Sequence, residues 1–211
     1  MYRTLAICCM GLALAACGQP DNEPEGTADT RARPDNPMPE PADDMAAPGQ
    51  APESAAAQVA PTQGNTASGS IAVTAEENGV RLAGAIQGLK PNGEFGFHVH
   101  EKGDCSAPDA SSAGAHFNPT NSAHGNPEGD THHAGDMLNI KSDAQGVAQV
   151  DTVVTGLTLH SGAPTDALGK AVVVHESPDD YKTQPSGNSG ARIACGVITV
   201  QAPTAGGAPT G

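Results

Sequence analysis

The chain has 211 residues and carries 24 acidic against 10 basic side chains, which gives a formal charge of −14 at pH 7. Nucleic acids and acidic surfaces bind proteins through basic side chains, so this charge argues against both as partners. Eight histidines are the other notable feature of the composition, because histidine is the commonest metal ligand.

The N-terminus predicts an exported, lipid-anchored protein. A short apolar run over residues 5–16 ends at small residues, which is typical of a secretory signal and too short for a membrane span. The word Leu14-Ala15-Ala16-Cys17 resembles the bacterial lipobox, whose cysteine becomes the lipidated first residue. We therefore expect residues 1–17 to be a signal peptide. A lipid on Cys17 would be the only membrane contact, on the periplasmic side of a bacterial membrane, most simply the outer one. An ordinary cleaved signal with a chance cysteine is the alternative.

Residues 18–68 predict a disordered linker. They are Pro, Ala, Gly, Gln and acidic residues with almost no Leu, Ile or Phe, so they cannot bury enough surface to offset the entropy of ordering. Residues 202–211 have the same character and predict a disordered tail. This leaves residues 69–201 as one folded domain of ordinary size.

Two cysteines fall in this domain, Cys105 and Cys195. If Cys17 is acylated, they are a matched pair in an exported, oxidising compartment, which predicts a disulfide between them. The bond would stabilise the domain by roughly 4 to 5 kcal/mol at most in the chain-entropy model. Two free buried thiols are the alternative.

Short runs of alternating apolar and polar residues predict an all-β sandwich or barrel. The first two runs, Ser70–Thr74 and Val80–Ile86, flank Asn78-Gly79, a strong hairpin signal. The later runs are Phe95–His100, Met137–Ile140, Val147–Val154, Ala171–His175 and Ile193–Val200. Two connections, from Glu101 to about Gly135 and from Glu176 to Arg192, are long and hold most of the polar candidates below, so we expect them to be functional loops.

Six histidines and one aspartate fall on a spacing that two adjacent metal ions would require. His98 and His100 are two residues apart on a predicted strand, so both side chains project from one face. With His175 they make an all-nitrogen set that suits Cu(II). The first long loop adds three imidazoles and a carboxylate, a set that suits zinc: His116, His124, His133 and Asp136. His132 is an alternative to His133, whereas His160 matches no ligand and is expected to be exposed.

From about Gly69 to Val200 the sequence closely resembles the copper/zinc superoxide dismutases. The matching words, in order, are Gly96–Glu101, Cys105, Gly114–Pro119, His124–Pro127, His133–Asp136, Val173–Glu176 with Asp179-Asp180, and Gly187–Gly196. The stretch Asp180–Gly187 resembles the bacterial exported branch of that family. The resemblance implies a Greek-key, immunoglobulin-like β-sandwich or barrel of about eight antiparallel strands with two long functional loops.

The resemblance also implies a role for each site residue. The implied copper ligands are His98, His100, His116 and His175, and the implied zinc ligands are His116, His124, His133 and Asp136, with the imidazolate of His116 bridging the two metals. Asp179 would orient one histidine of each set by accepting their outer N–H groups. Arg192 would receive the anion, and Cys105 and Cys195 match the family disulfide.

The implied activity is conversion of superoxide to dioxygen and hydrogen peroxide by one-electron cycling of copper, with a structural zinc and with His116 as proton source. Arg192 and the two metals, with Lys102 or Lys182, would form a local positive funnel in an acidic protein. The alternative for the two lysines is ordinary solvated surface. The resemblance is compatible with a monomer or a homodimer.

Two other functions compete with this one. A non-enzymatic copper/zinc-binding protein on the same scaffold would be expected if a copper ligand or Arg192 were missing, and none is missing. A structural or adhesive β-sandwich with a metal staple does not explain the cluster of His98, His100 and His175.

Overall fold

A computed structural model describes residues 54–201 of the chain. The strands of this part are β1 Ala55–Pro61, β2 Ser68–Glu76, β3 Gly79–Gln87, β4 Glu94–Phe95, β5 Phe97–His100, β6 Ile140–Lys141, β7 Ala148–Thr155, β8 Ala171–His175 and β9 Arg192–Val200, with one 3-10 turn at Ser111–Ala113. The predicted signal peptide, Cys17, most of the predicted linker and the tail lie outside the described residues. Within residues 54–201, no helix has the length and apolarity to cross a membrane.

The strands close into a barrel. Seven of them form one antiparallel sheet in the order β5-β8-β9-β1-β2-β3-β7, and β4 pairs with β6. Only Gly96 separates β4 from β5, and a bridge between Ser142 and Ala148 links the end of β6 to β7. The two edge strands of the large sheet are therefore joined through β4 and β6. Connections 88–93 and 156–170 each pass over neighbouring strands, so the strand order is a Greek key. The predicted all-β Greek-key fold is confirmed.

The first predicted hairpin is present, but its turn lies one residue earlier than predicted. β2 and β3 pair down to Glu76 opposite Gly79, so Glu77 and Asn78 are the two connecting residues. Gly79 belongs to β3, where a Cβ would collide with the backbone carbonyl of Val154 on β7. The glycine is needed for close approach of a strand and not for the turn.

β1 shows that the predicted linker boundary at residue 68 is wrong. This strand lies between β2 and β9 and pairs with both, Ala55 standing opposite Val73 on one side and Val200 on the other. Ala57 and Val59 are buried. The prediction failed because β1 is mostly alanine, with one glutamine, one valine and one proline. Alanine and proline have low β-propensity. Strand formation depends on neighbours, and β1 has one on each side. The domain therefore begins by residue 55 instead of 69.

The barrel interior is an aliphatic and aromatic core whose largest fully buried members are Phe97, Ile71, Leu82, Ile86, Met137 and Ile198. A smaller apolar cluster of Ala110, Ala113, Ala171 and Val173 surrounds Cys195 and packs against Cys105. These two cysteines form a disulfide with a Cα–Cα distance of 5.8 Å, which confirms the predicted bond. It ties the first long loop, residues 101–139, to β9.

Candidate metal centre

The alternation of β5 places its two histidines outside the barrel core. Phe97 and Val99 belong to the buried core, so His98 and His100 project from the opposite face of the strand. The first long loop folds back along this face through bridges from His98 to Asp136 and from His100 to His116. The histidines are thereby covered by loop and are all buried.

The structure brings together all seven predicted ligands in two groups that share His116. One group is His98, His100, His116 and His175, and the other is His116, His124, His133 and Asp136. Within each group one ligand atom per residue lies within 4.8 Å of every other. Among residues 54–201 these are the groups whose atoms could hold a metal ion.

Two histidines of the first group are oriented by hydrogen bonds from one ring nitrogen to a backbone carbonyl. Nδ1 of His100 lies 2.9 Å from the carbonyl oxygen of Gly114, and Nδ1 of His175 lies 3.2 Å from that of Gly190. Because a carbonyl only accepts, each Nδ1 carries the proton and each Nε2 presents a lone pair. These two Nε2 atoms face each other at 3.3 Å.

Two further nitrogens of this group have no hydrogen-bond partner although they are buried, Nδ1 of His98 and Nε2 of His116. A buried polar atom without a partner costs about 1 to 3 kcal/mol, and a cation among four imidazole nitrogens would remove that cost. The donor set suits copper.

The second group is built around the Asp136 carboxylate. Its Oδ1 lies 2.7 Å from Nδ1 of His116 and 3.3 Å from Nδ1 of His133, and its Oδ2 lies 3.0 Å from Nδ1 of His124. The Nδ1 atoms of His124 and His133 are buried without a hydrogen-bond partner. Three imidazole nitrogens and one carboxylate suit a closed tetrahedral zinc site, so the residues present fit both metals.

Asp179 links the two groups. Its Oδ2 lies 2.8 Å from Nε2 of His98 and its Oδ1 lies 3.0 Å from Nε2 of His124. Burial opposes ionisation of this carboxyl, but the hydrogen bonds from His124 and His98 hold the pKa of Asp179 well below its usual value. A carboxylate therefore fixes the ring orientation of one histidine from each group.

Burial also sets the charge of three histidines in the first group. It lowers the pKa of His98 to about 4, that of His175 to about 3 and that of His100 to about 2. These imidazoles are neutral at pH 7, which is the form that binds metal. His124 differs: burial lowers its pKa, but the neighbouring carboxylates of Asp136 and Asp179 outweigh that effect and raise the pKa to about 9. A metal would have to displace that proton.

Arg192 lies beside the first group at the start of β9. Its Nη1 donates to the carbonyl oxygen of Ala110 at 2.6 Å, and its Nη2 donates to that of Gly114. The Gly114 carbonyl is also the acceptor for His100, so the arginine and a copper-side histidine share one anchor. Arg192 lines an open cavity together with His100, His116 and His175.

The remaining polar candidates lie outside the two groups. Within the described part of the chain, Lys102 and Lys182 are exposed and do not line this cavity, which favours ordinary solvated surface for both. The ring of His132 turns toward the carbonyl oxygen of His133, with Nδ1 at 2.7 Å. His160 is exposed, as expected, in the 156–170 connection.

Sequence reasoning missed the residues that hold the Asp179 backbone. The side chain of Asn139 accepts from the Asp179 N–H at 2.8 Å and donates to the Asp179 carbonyl at 2.9 Å. The N–H of Asn139 donates to the hydroxyl of Tyr181 at 2.8 Å. Nothing in the local sequence marks this pairing, because the partners are 40 residues apart.

Comparison with known proteins agrees with this geometry. The family model described as copper/zinc superoxide dismutase (SODC) matches residues 67–198. The chain belongs to the copper/zinc superoxide dismutase family.

Two of its relatives carry the name of this family. The chain is 47% identical over 126 residues to a superoxide dismutase [Cu-Zn] of Aquifex aeolicus, a match that covers 57% of this chain and 72% of that protein. It is 44% identical over 135 residues to a superoxide dismutase [Cu-Zn] of Caulobacter vibrioides, covering 62% and 77%. Among solved structures, a double mutant of a SOD-like protein from Bacillus subtilis superposes with a TM-score of 0.62 at 40% identity, covering 68% of this chain and 96% of that one.

Proposed function

We propose that this chain is a superoxide dismutase that converts superoxide to dioxygen and hydrogen peroxide. The observation that carries the proposal is the pair of buried ligand groups sharing His116, with Arg192 beside the all-histidine group in an open cavity. Such an arrangement places a site for a redox metal, a site for a structural metal and a positively charged binding group for a small anion next to one another.

Copper would be held by the first group and zinc by the second. Bound there, copper supplies a one-electron couple that oxidises one superoxide to dioxygen and reduces a second, which takes up two protons, to hydrogen peroxide. The second group has a structural role, since zinc has no redox chemistry. It holds together a loop that supplies all four of the group's ligands and few apolar contacts.

The chain's own residues act on the substrate and on the proton. The Arg192 guanidinium, held by the carbonyls of Ala110 and Gly114, attracts and orients the anion in a partly desolvated cavity, where a fixed charge is worth more than in water. Nε2 of His116 faces the first group without a hydrogen-bond partner. It is the atom placed to hold a proton and pass it to the reduced product.

A non-enzymatic copper/zinc-binding protein on the same scaffold is not favoured. That function requires the two ligand groups but gives no role to a half-buried arginine in an open cavity beside them.

The direct test is superoxide removal by purified protein loaded with copper and zinc, measured by pulse radiolysis. We expect dismutation that is lost on copper chelation and restored by copper. Arg192→Ala should lower the rate roughly tenfold to a hundredfold while copper stays bound, since one oriented charge is removed. A fully copper-loaded protein that does not remove superoxide would falsify the proposed function.

We also propose that the protein belongs to the exported, lipid-anchored bacterial branch and works on the periplasmic side of a membrane. The lipobox-like word ending at Cys17 supports this, as does the Cys105–Cys195 disulfide, because such bonds persist mainly in oxidising compartments. Palmitate should label the full chain but not its Cys17→Ser variant. Equal labelling of both, or of neither, would contradict the anchor.

A further inference from the structure

The short segment that follows β1 packs against the backbone that carries Arg192. Thr62 is 8% exposed. Its hydroxyl donates to the carbonyl oxygen of Arg192 at 2.8 Å, and its N–H donates to that of Ile193 at 3.1 Å. Both contacts join residues about 130 positions apart in the chain, and they fix the start of β9.

The same segment also holds the loop that anchors the guanidinium. The N–H of Gln63 donates to the carbonyl oxygen of Pro108 at 2.8 Å. Pro108 stands two residues before Ala110, whose carbonyl accepts from Arg192 at 2.6 Å. Residues 62–63 therefore support both the backbone of Arg192, by direct hydrogen bonds, and its side chain, through the loop that contains Ala110.

Asn65 fixes the direction of the Thr62 hydroxyl. Its Nδ2 donates to Oγ1 of Thr62 at 2.8 Å, and its N–H donates to the Thr62 carbonyl at 3.0 Å. Since Oγ1 accepts from the amide, its single proton is directed to the Arg192 carbonyl. Three residues that the sequence assigned to a linker thus form a small hydrogen-bonded support.

On its other side Arg192 pairs with His175 of β8, at a point where the strand register is irregular. A regular ladder therefore does not hold the start of β9 on that side.

We propose that Thr62 is a positioning residue for Arg192, and through it for the anion that Arg192 receives. This inference rests on the proposed function, because it assumes that Arg192 binds superoxide.

The expected consequence follows from the sensitivity of oriented groups to small displacements. Without the hydroxyl, the Arg192 carbonyl loses a buried donor and the start of β9 is free to shift. The guanidinium would then meet the anion at a poorer distance or angle. The hydrogen bonds of Thr62 in the described structure go to Arg192, Ile193 and Asn65 and to no metal ligand, so copper and zinc content should not change.

The test uses the full chain loaded with copper and zinc, with azide as a probe anion. Thr62→Val removes the hydroxyl at nearly constant volume, Thr62→Ser retains it, and Thr66→Val is the matched control. The Thr66 hydroxyl makes a similar bond, to the Gly88 carbonyl at 2.8 Å, away from Arg192. We expect Thr62→Val to weaken azide binding and to lower kcat/KM for superoxide, each about threefold to tenfold. Thr62→Ser and Thr66→Val should stay within about twofold of the wild type.

Azide affinity is read from the copper absorption band, with metal content and thermal unfolding measured on each variant. Wild-type azide affinity in a metal-loaded Thr62→Val variant would overturn the inference. If Thr62→Val does not fold, Asn65→Ala removes the orienting amide and should weaken azide binding about twofold to threefold, and an unchanged affinity there would equally overturn it. An inactive wild type would instead contradict the proposed function, while the azide series would still report on the arginine.

Discussion

The two ligand groups are held in different ways. Three of the four copper-side residues are carried by barrel strands, since His98 and His100 lie on β5 and His175 ends β8, and the fourth, His116, lies in the loop 101–139. The residues that alternate with them, Phe97 and Val99, are fixed in the core. The zinc-side group belongs to the loop 101–139, and its members contact one another mainly through Asp136. We infer that the redox site is preorganised by the sheet, whereas the loop site depends on its metal for its shape.

The largest expected effect is on the strand-borne group. His175→Ala should remove copper and lower the dismutation rate by at least about a hundredfold, because a missing ligand eliminates the redox centre and not just its orientation. Zinc content and thermal stability should change much less, since β8 and the second group remain. Metal analysis with pulse radiolysis checks this, and His160→Ala, in an exposed connection, is the control. A parallel loss of zinc would show that the two groups are not held independently.

The loop-borne group should behave in the opposite way. Asp136→Ala removes the carboxylate that three histidines contact, so zinc should be lost. The unfolding midpoint should fall by roughly 10 °C, as expected when a buried ionic partner is removed. Limited proteolysis should cut within residues 101–139. Copper should still bind through His98, His100 and His175. Unchanged protease resistance after zinc loss would mean that the loop is held by other contacts.

The disulfide supports the loop from outside both groups. The Cys105→Ser, Cys195→Ser double variant should unfold about 2 to 5 kcal/mol more easily, measured by urea denaturation of the metal-loaded protein. Activity should fall less than with His175→Ala, because neither cysteine belongs to a ligand group. The single variants serve as controls for a free thiol. Equal stability of wild type and double variant would show that the disulfide does not stabilise the loop.

The smallest effect concerns pH and applies to the metal-free protein. The pKa values of His98, His100 and His175 lie between about 2 and 4 in the folded state, below the 6.5 of an unperturbed histidine. As the pH falls below about 6.5, the unfolded chain takes up protons that the folded one does not, so the free energy of unfolding decreases. His124, with its pKa raised to about 9, opposes this: its contribution is present below about 6.5 and is lost as the pH rises through 9.

Burial also lowers the pKa of His133, so four lowered groups outweigh one raised group. The urea midpoint of metal-free protein should therefore decrease as the pH falls from 7 to 5. Metal-loaded protein should change less over the same range, because bound metals keep the imidazoles unprotonated in the folded state. A midpoint that rises as the pH falls would contradict the sign of these shifts.

Local patterns predicted much of this molecule. The alternating residues indicated the strands. The seven residues that the structure gathers in two groups could be found because a metal site needs its ligands at recognisable spacings such as His98-x-His100. β1 could not be found, since its alanines form a strand only because β2 and β9 lie on either side. Thr62, Asn139 and Tyr181 were missed for a related reason: each acts on a residue 40 or more positions away, or on that residue's support.

The position of β1 also bears on how the domain carries mechanical load. The chain enters the barrel through a strand that is hydrogen-bonded on both sides, to β2 and to β9. A pull on the segment before residue 55 is therefore shared by two ladders of backbone bonds instead of peeling one edge strand. A domain tethered through this end would resist extension at its point of attachment, and the Cys105–Cys195 bond would carry part of any load on β9 into the loop that holds the metals.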